Sequence, residues 1–467
     1  MWSIDAVLIA YIFVVQMAIT ASGKWNGVFH IAFCACIVAE LLFIFSRNFF
    51  VRRGNTAESI LLAYLVWLVV SRPICGDTSL SSSAAYIMLS TFCVCLLDYG
   101  VALDAEQRRY VLTVLSIGIC AFYFVIGIAG IYAALTQSVV NLPLDITVGI
   151  KAEGELRYLT VFGRHRNITA QWNCLCVCLG AYLFSLYKNR IIRIVLVIVV
   201  VVYYIMIALS LSRTTMLALS VALAMIVMLH IDKKYMRKSK WVRALAAAFA
   251  AILIIPLSYR GCGIIGSAVD SLSSKVVSAS NHGENLSAGT IMDISGENTL
   301  EIKDDDVLFT ETRNTDNILN LGGRNLVWKC VISLLHMQPE RLLHGSLDNE
   351  YMTMINIFIS ATDPGAIVAN THNFFLETLM LTGLPGLLLA LAFTLILVWR
   401  MVRVFFAAGA ELSVKLLTLP LATVLLKNMG ETTLLRYDDI TNYVFFLAAG
   451  AFLAFSYELF PEKSRKK

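Results

Sequence analysis

Four short clusters carry residue types that do chemistry on phosphate. They are Arg164, His165, Arg166 and Asn167 in "FGRHRNITAQW"; Ser212, Arg213 and Thr214 in "LSLSRTTML"; Arg324 in "GGRNLVW"; and His372, Asn373 and Glu377 in "THNFFLE". Arginine offers a planar, permanently charged fork that matches phosphate oxygens. A neutral imidazole takes up a proton near neutral pH. Singly, each cluster has a plain account. An arginine at the end of a membrane span snorkels to the headgroups, a lone histidine sits at the interface, and Asn373 and Glu377, four apart on one helix face, bond each other. Arg213 fits the plain account least, because its turn is too short to be a free loop and it stands on the side poor in basic residues. Together, several arginines and one histidine meet at one membrane face with no matching cluster of acids interleaved among them, which suits a diphosphate. Glu377 lies about 140° around a helix from His372, at about 100° per residue, so the two are not read as a dyad.

The elements that must position these residues are membrane helices. Of 467 residues, 58% are hydrophobic and only 15% charged, with a mean hydropathy of +0.74. Soluble domains average about 25% charged residues. Apolar runs of about 20 residues, enough to cross about 30 Å of hydrocarbon, recur from end to end and do not alternate as barrel strands do. The fold class expected is all-α: a polytopic protein of about 12 transmembrane helices with one large extracytoplasmic loop. Spans are placed near 4–21, 28–46, 57–74, 83–99, 111–134, 167–187, 190–210, 213–231, 242–258, 385–403, 412–428 and 440–459. The first is read as a retained helix, since it lacks a basic leader and a small-residue cleavage site.

The chain divides into N-terminal transmembrane helices over 1–258, an extracytoplasmic loop with amphipathic helices over 259–371, and a surface helix with C-terminal spans over 372–467. Basic residues such as Arg108, Arg109, Lys188, Arg190, Arg193, Arg400, Arg403 and Lys415 then fall on the inner side, as the positive-inside rule requires. The formal charge of +5 is therefore topology facing anionic lipid, and no nucleic-acid partner is expected. The four clusters fall outside. Within the large loop, 266–320 is rich in Ser, Asn, Gly and acid and is expected to be mobile. Arg324 to Met337 has helical apolar spacing and stops before Pro339, and a second short helix fits 349–360. From His372 to Trp399 a single helix would measure about 42 Å. Gly383 and Pro385 break it, giving a short surface helix with Thr371 as N-cap and His372 in its first turn.

Of 11 cysteines, most lie in spans as small hydrophobes, and no disulfide framework or metal site is implied. Phosphate-loop, dinucleotide and HExxH motifs are missing from the sequence.

The segments "SLSRTT", "GGRNLVWKCVISLLHMQPERLLHGS" and "HNFFLETLMLTGLPGLLLAL" resemble the O-antigen ligase and O-antigen polymerase superfamily of bacterial membrane glycosyltransferases; "FGRHRNITAQW" matches it more loosely. The resemblance implies transfer of a glycan from an undecaprenyl-diphosphate donor to an acceptor hydroxyl on the extracytoplasmic side of the inner membrane, with no cofactor and no metal. It implies that Arg213 and Arg324 hold the diphosphate and that His372 acts on or orients the acceptor hydroxyl; Arg164, Arg166 and Asn373 are the further substrate-binding candidates. The partners would be the lipid-linked glycan, a glycan or lipid-linked acceptor, and membrane lipid. A repeat-unit polymerase of O-antigen or capsule is the alternative within the superfamily. A transporter of lipid-linked sugar is the alternative outside it, and would carry polar groups through the midplane and repeated halves.

Overall fold

The computed structural model describes residues 56–77, 83–143, 146–153, 156–161, 166–235, 240–281, 290–292, 299–301, 324–362, 370–432, 434–435 and 440–460. The spans expected near 4–21 and 28–46, and the candidates Arg164 and His165, lie outside them. The helices in chain order are α1 Thr56–Ile74, α2 Ala84–Ala102, α3 Ala105–Thr136, α4 Arg166–Leu186, α5 Arg190–Leu209, α6 Arg213–Tyr235, α7 Lys240–Asn281, α8 Arg324–Met337, α9 Arg341–His344, α10 Asp348–Thr362, α11 Phe374–Phe405, α12 Leu412–Leu416, α13 Thr418–Asn428 and α14 Ile440–Leu459. Seven of these are long and apolar enough to cross a membrane by length and composition, and the shorter apolar stretches Tyr86–Ala102 and Arg213–Leu229 accompany them. Their burial follows position. The window in α14 is 94% buried and that in α5 only 33%, so α14 runs through the middle of the bundle and α5 turns most of its aliphatic surface outward. Centrally, α2 and α14 touch backbone to backbone. A methyl on Gly450 would stand 2.0 Å from the Leu97 carbonyl oxygen, and one on Gly100 2.6 Å from that of Leu447. Without a water-driven hydrophobic force between helices in lipid, such small-residue contacts let them pack closely.

The expectation of an all-α chain needs one correction. Residues 140–161 form antiparallel strands β1 Val140–Leu142, β2 Ile146–Glu153 and β3 Leu156–Val161, with β2 central. Two short strands, β4 Thr290–Met292 and β5 Thr299–Glu301, extend the sheet. The period-2 signal is there to read: Ile146, Val148 and Ile150 are all buried, as alternation on a strand demands. The run is too short to compete with the hydropathy signal around it. A second difference is that α7 continues to Asn281, well beyond the span end expected at 258 and into the polar stretch expected to be mobile. The amphipathic helix expected from Arg324 to Met337 has those bounds, and the helix expected at 349–360 is α10.

The break expected at Gly383 is present. Gly383 has φ +69° and ψ −172°, a region that is essentially glycine-only. Pro385 has no N–H for the Leu381 carbonyl, and the kink removes the neighbouring helical bonds. All three freed carbonyls are re-satisfied. The Ser346 N–H donates to Met380 O at 2.8 Å, the Arg72 guanidinium donates to Leu381 O, and the Trp67 indole N–H donates to Thr382 O at 2.7 Å. Irregular backbone in a membrane protein is tolerated on this condition. Arg72, 1% exposed, thus fixes the first part of α11 to the end of α1; that part, expected at the surface, is largely buried, with Phe374, Glu377, Met380 and Leu381 inside.

Candidate active site

Five helix ends meet at one end of the bundle: the starts of α4, α6, α8 and α11 and the end of α13. The sequence clusters lie there because each follows or precedes an apolar run. Arg213 opens α6 after a tight turn in which Leu211 takes φ +52°. Arg324 opens α8. His372 lies just ahead of α11, with φ +53°.

That last placement corrects the expected N-cap. Asn373, not Thr371, caps the helix, its Oδ1 accepting from the N–H groups of Phe375 and Leu376 at 2.9 and 3.1 Å. His372 therefore stands before the helix. Its N–H donates to Asn370 Oδ1 at 2.8 Å. Asn373 Nδ2 also donates to Met429 O at 2.9 Å, tying the His372 turn to the end of α13. Asn373 and Glu377 meet through the backbone, the Glu377 N–H donating to Asn373 O at 2.9 Å, while their side chains turn to other partners. Glu377, 2% exposed, accepts from Thr371 N–H and Oγ1 at 2.9 and 2.7 Å and from the Tyr351 hydroxyl. It locks the turn from beneath. Trp328 Nε1 donates to Thr371 O at 2.9 Å, which joins α8 to the same turn.

The sequence reading missed the acid at the centre. Glu431, just past α13 and buried, accepts from the Arg324 guanidinium and from Asn167 Nδ2 through Oε1, while Oε2 lies 3.2 Å from His372 Nδ1. The expectation was of no matching cluster of acids among the basic residues; a single buried carboxylate stands between two of them. Burial alone would push the Glu431 carboxyl up. The hydrogen bond from His372 and the charges of Arg324, His372 and Lys427 outweigh it and hold it down at about 2. A carboxylate ionised at neutral pH accepts only, so Nδ1–H is the donor, and in the neutral form of the ring Nε2 is then the bare nitrogen. Lys427 donates to Asn167 O and Gln171 Oε1, and Ser212 Oγ donates to Asn167 Oδ1 at 2.7 Å. That hydroxyl fixes which way the Asn167 amide points, leaving Nδ2 for Glu431.

Among the candidates, the structure brings Arg324 and His372 onto one carboxylate and sets Asn373 beside them. Thr214, the residue after Arg213, comes close to this group: a methyl built on Gly430 would lie 3.1 Å from Thr214 Cγ2 and 3.6 Å from Arg324 Nη1. Arg166 opens α4 beside Asn167 and sets its guanidinium 5.5 Å over the Tyr158 ring. The one signal for Glu431 in the sequence was an acid in a short connection between apolar runs, which carries little information until α13 is folded against α4. Among the described residues, no group of three or more His, Cys, Asp or Glu could hold a metal ion.

An apolar cavity of about 390 Å³ runs beside the site between α6, α11 and α13. Phe374, Phe375 and Met429 line its end next to His372 and Asn373, and Met225, Val398 and Ala422 line its depth.

Residues 198–391 match the Wzy_C family, described as O-antigen ligase. This stretch belongs to the O-antigen ligase superfamily that its motifs resemble, and it contains Arg213, Arg324, His372 and Asn373. Asn167, Lys427 and Glu431 lie outside it. No curated protein matches the chain.

Proposed function

Taking that O-antigen ligase domain as the premise, we propose that this membrane protein transfers a glycan from a polyprenyl diphosphate to an acceptor hydroxyl on the extracytoplasmic face of the inner membrane. The observation that carries the reading is the meeting of Arg324 and His372 on one buried carboxylate, at the rim of a groove walled by aliphatic and aromatic side chains. A diphosphate needs fixed cations; an isoprenoid chain needs an apolar channel open from the bilayer; an acceptor hydroxyl needs a base. All three are adjacent. The side is supported by charge. Arg108, Arg109, Lys188, Arg190, Arg193, Arg400, Arg403 and Lys415 all lie at the helix ends opposite the site, and such residues favour the cytoplasm.

In the proposed step the acceptor oxygen attacks the anomeric carbon of the donor glycan. The bond from that carbon to the diphosphate oxygen breaks, and its electron pair leaves with the lipid diphosphate. The acceptor proton passes to His372 Nε2. Arg213 and Arg324 stabilise the charge that develops on the leaving oxygen, the kind of preorganised electrostatic help that dominates many transferases. Arg164 and Arg166, at the approach to α4, hold the donor's outer phosphate or first sugar. Asn373 keeps the His372 turn against Met429.

The test is a pair of variants assayed with purified protein and a lipid-linked glycan. His372→Ala removes transfer, by roughly 10²-fold or more for a general base, while the protein still inserts and binds donor. His372→Gln orients a hydroxyl but takes no proton, so it stays as inactive as alanine if the histidine is the base. Full turnover in His372→Ala would refute the site.

A further inference from the structure

We propose that Glu431 is a positioning residue that sets base and diphosphate clamp in register. One carboxylate oxygen holds His372 with Nε2 bare and facing away, and the other holds Arg324. The inference rests on the transferase reading above but goes beyond it, since Glu431 lies outside the segment that matches the family.

The geometry is that of an orienting group. Glu431 is 7% exposed, and both its oxygens are engaged, at His372 Nδ1 on one side and Arg324 and Asn167 on the other. The carboxylate is itself held. Asn167 is fixed by Ser212 and by Lys427, so Glu431 has little freedom to follow one partner at the expense of the other. A base whose second nitrogen is pinned by a carboxylate presents one tautomer, and the imidazolium formed on proton uptake is stabilised by the adjacent charge. The charged groups around the Glu431 carboxylate are Arg324 on α8, His372 ahead of α11 and Lys427 on α13. Among the described residues, Glu431 is the anion they share. Among the described residues, Arg324 meets Glu431 through Nη2, which leaves Nη1 and Nε for a ligand. A single carboxylate thus aims two side chains that stand 48 residues apart in sequence.

A merely structural ion pair would show its loss as reduced stability. A positioning role shows it in turnover, as a fall in kcat without a rise in donor KM. In Glu431→Gln, size is kept and charge is lost. Transfer kcat falls roughly 10²-fold, within the range of general-base effects, while the KM for donor stays level or drops, because Arg324 no longer shares its charge with a carboxylate. Glu431→Asp keeps the charge with a shorter reach. It retains more turnover than Glu431→Gln, and it supplies the same split between kcat and KM if Glu431→Gln fails to fold. Unchanged kcat, or a rise in donor KM alone, overturns the proposal. His372→Ala run in parallel separates the two readings: an active His372→Ala sinks the site, whereas an inactive His372→Ala beside an unaltered Glu431→Gln sinks only the role of Glu431.

Discussion

Replacing Arg324 by lysine separates charge from geometry at the proposed clamp. Arg324 gives Nη2 to Glu431 and is 16% exposed, so in the proposed clamp its remaining nitrogens would serve the diphosphate while the first is occupied. Lysine has one ammonium. If that ammonium stays with Glu431, the diphosphate loses one charge-assisted hydrogen bond or more. If it turns to the diphosphate, Glu431 loses its partner and His372 its fixed orientation. Hydrogen bonds to charged groups contribute about 1.5–3 kcal/mol each, and about 1.4 kcal/mol is a factor of ten in rate. Loss of one such bond therefore lowers kcat/KM by about 10- to 150-fold in Arg324→Lys. The change in thermal stability should be small, since lysine still offsets the buried carboxylate. The assay is initial-rate transfer from a lipid-linked glycan by purified protein in nanodiscs, normalised to folded protein. Activity within about threefold of the parent would refute the reasoning and return Arg324 to the role of a structural ion-pair partner.

Gly383→Ala places a methyl 2.7 Å from the Leu343 carbonyl carbon and 2.8 Å from the His344 nitrogen, backbone atoms that cannot step aside, in a conformation that itself disfavours a side chain. A loss of about 3 kcal/mol is expected from strain and overpacking together, read as a lower melting temperature in detergent; an unchanged melt would show that the break tolerates a side chain. Ala422→Trp fills the apolar groove and should raise the KM for a long-chain polyprenyl donor about tenfold, equivalent to about 1.4 kcal/mol of lost apolar contact, while sparing a donor with a short prenyl chain. Equal effects on both donors would remove the groove from the lipid's path.

Much of the architecture was legible from hydropathy. Most described helices fall on the expected spans because about 20 apolar residues in a row have few fates other than a membrane helix. The ends of α8 were readable for a local reason: helical spacing from Leu326 to Leu335 and a proline at 339 settle the matter within 16 residues. The break in α11 was readable too, since Gly383 and Pro385 act on their own backbone. The strands of 140–161 were not read, because their alternation is short and sits between stronger signals. The N-cap slipped by two residues, since Thr371 and Asn373 are equally good capping types and only the contact with Met429 distinguishes them.

The candidate site divides in the same way. Arginine and histidine at span ends stand out in a chain this apolar, so the sequence by itself determined which cationic side chains to consider and that they share a membrane face. It did not determine their common partner. Glu431 lies 59 residues from His372 and 107 from Arg324, and no periodicity or spacing links positions so far apart. Tertiary packing alone decided that α13 ends against the start of α4, with Lys427 bonded to Asn167 and Gln171, and that this contact delivers a carboxylate between a guanidinium and an imidazole. Local sequence fixes helices because their bonds close within four residues; a charge network closes only when distant helix ends have met.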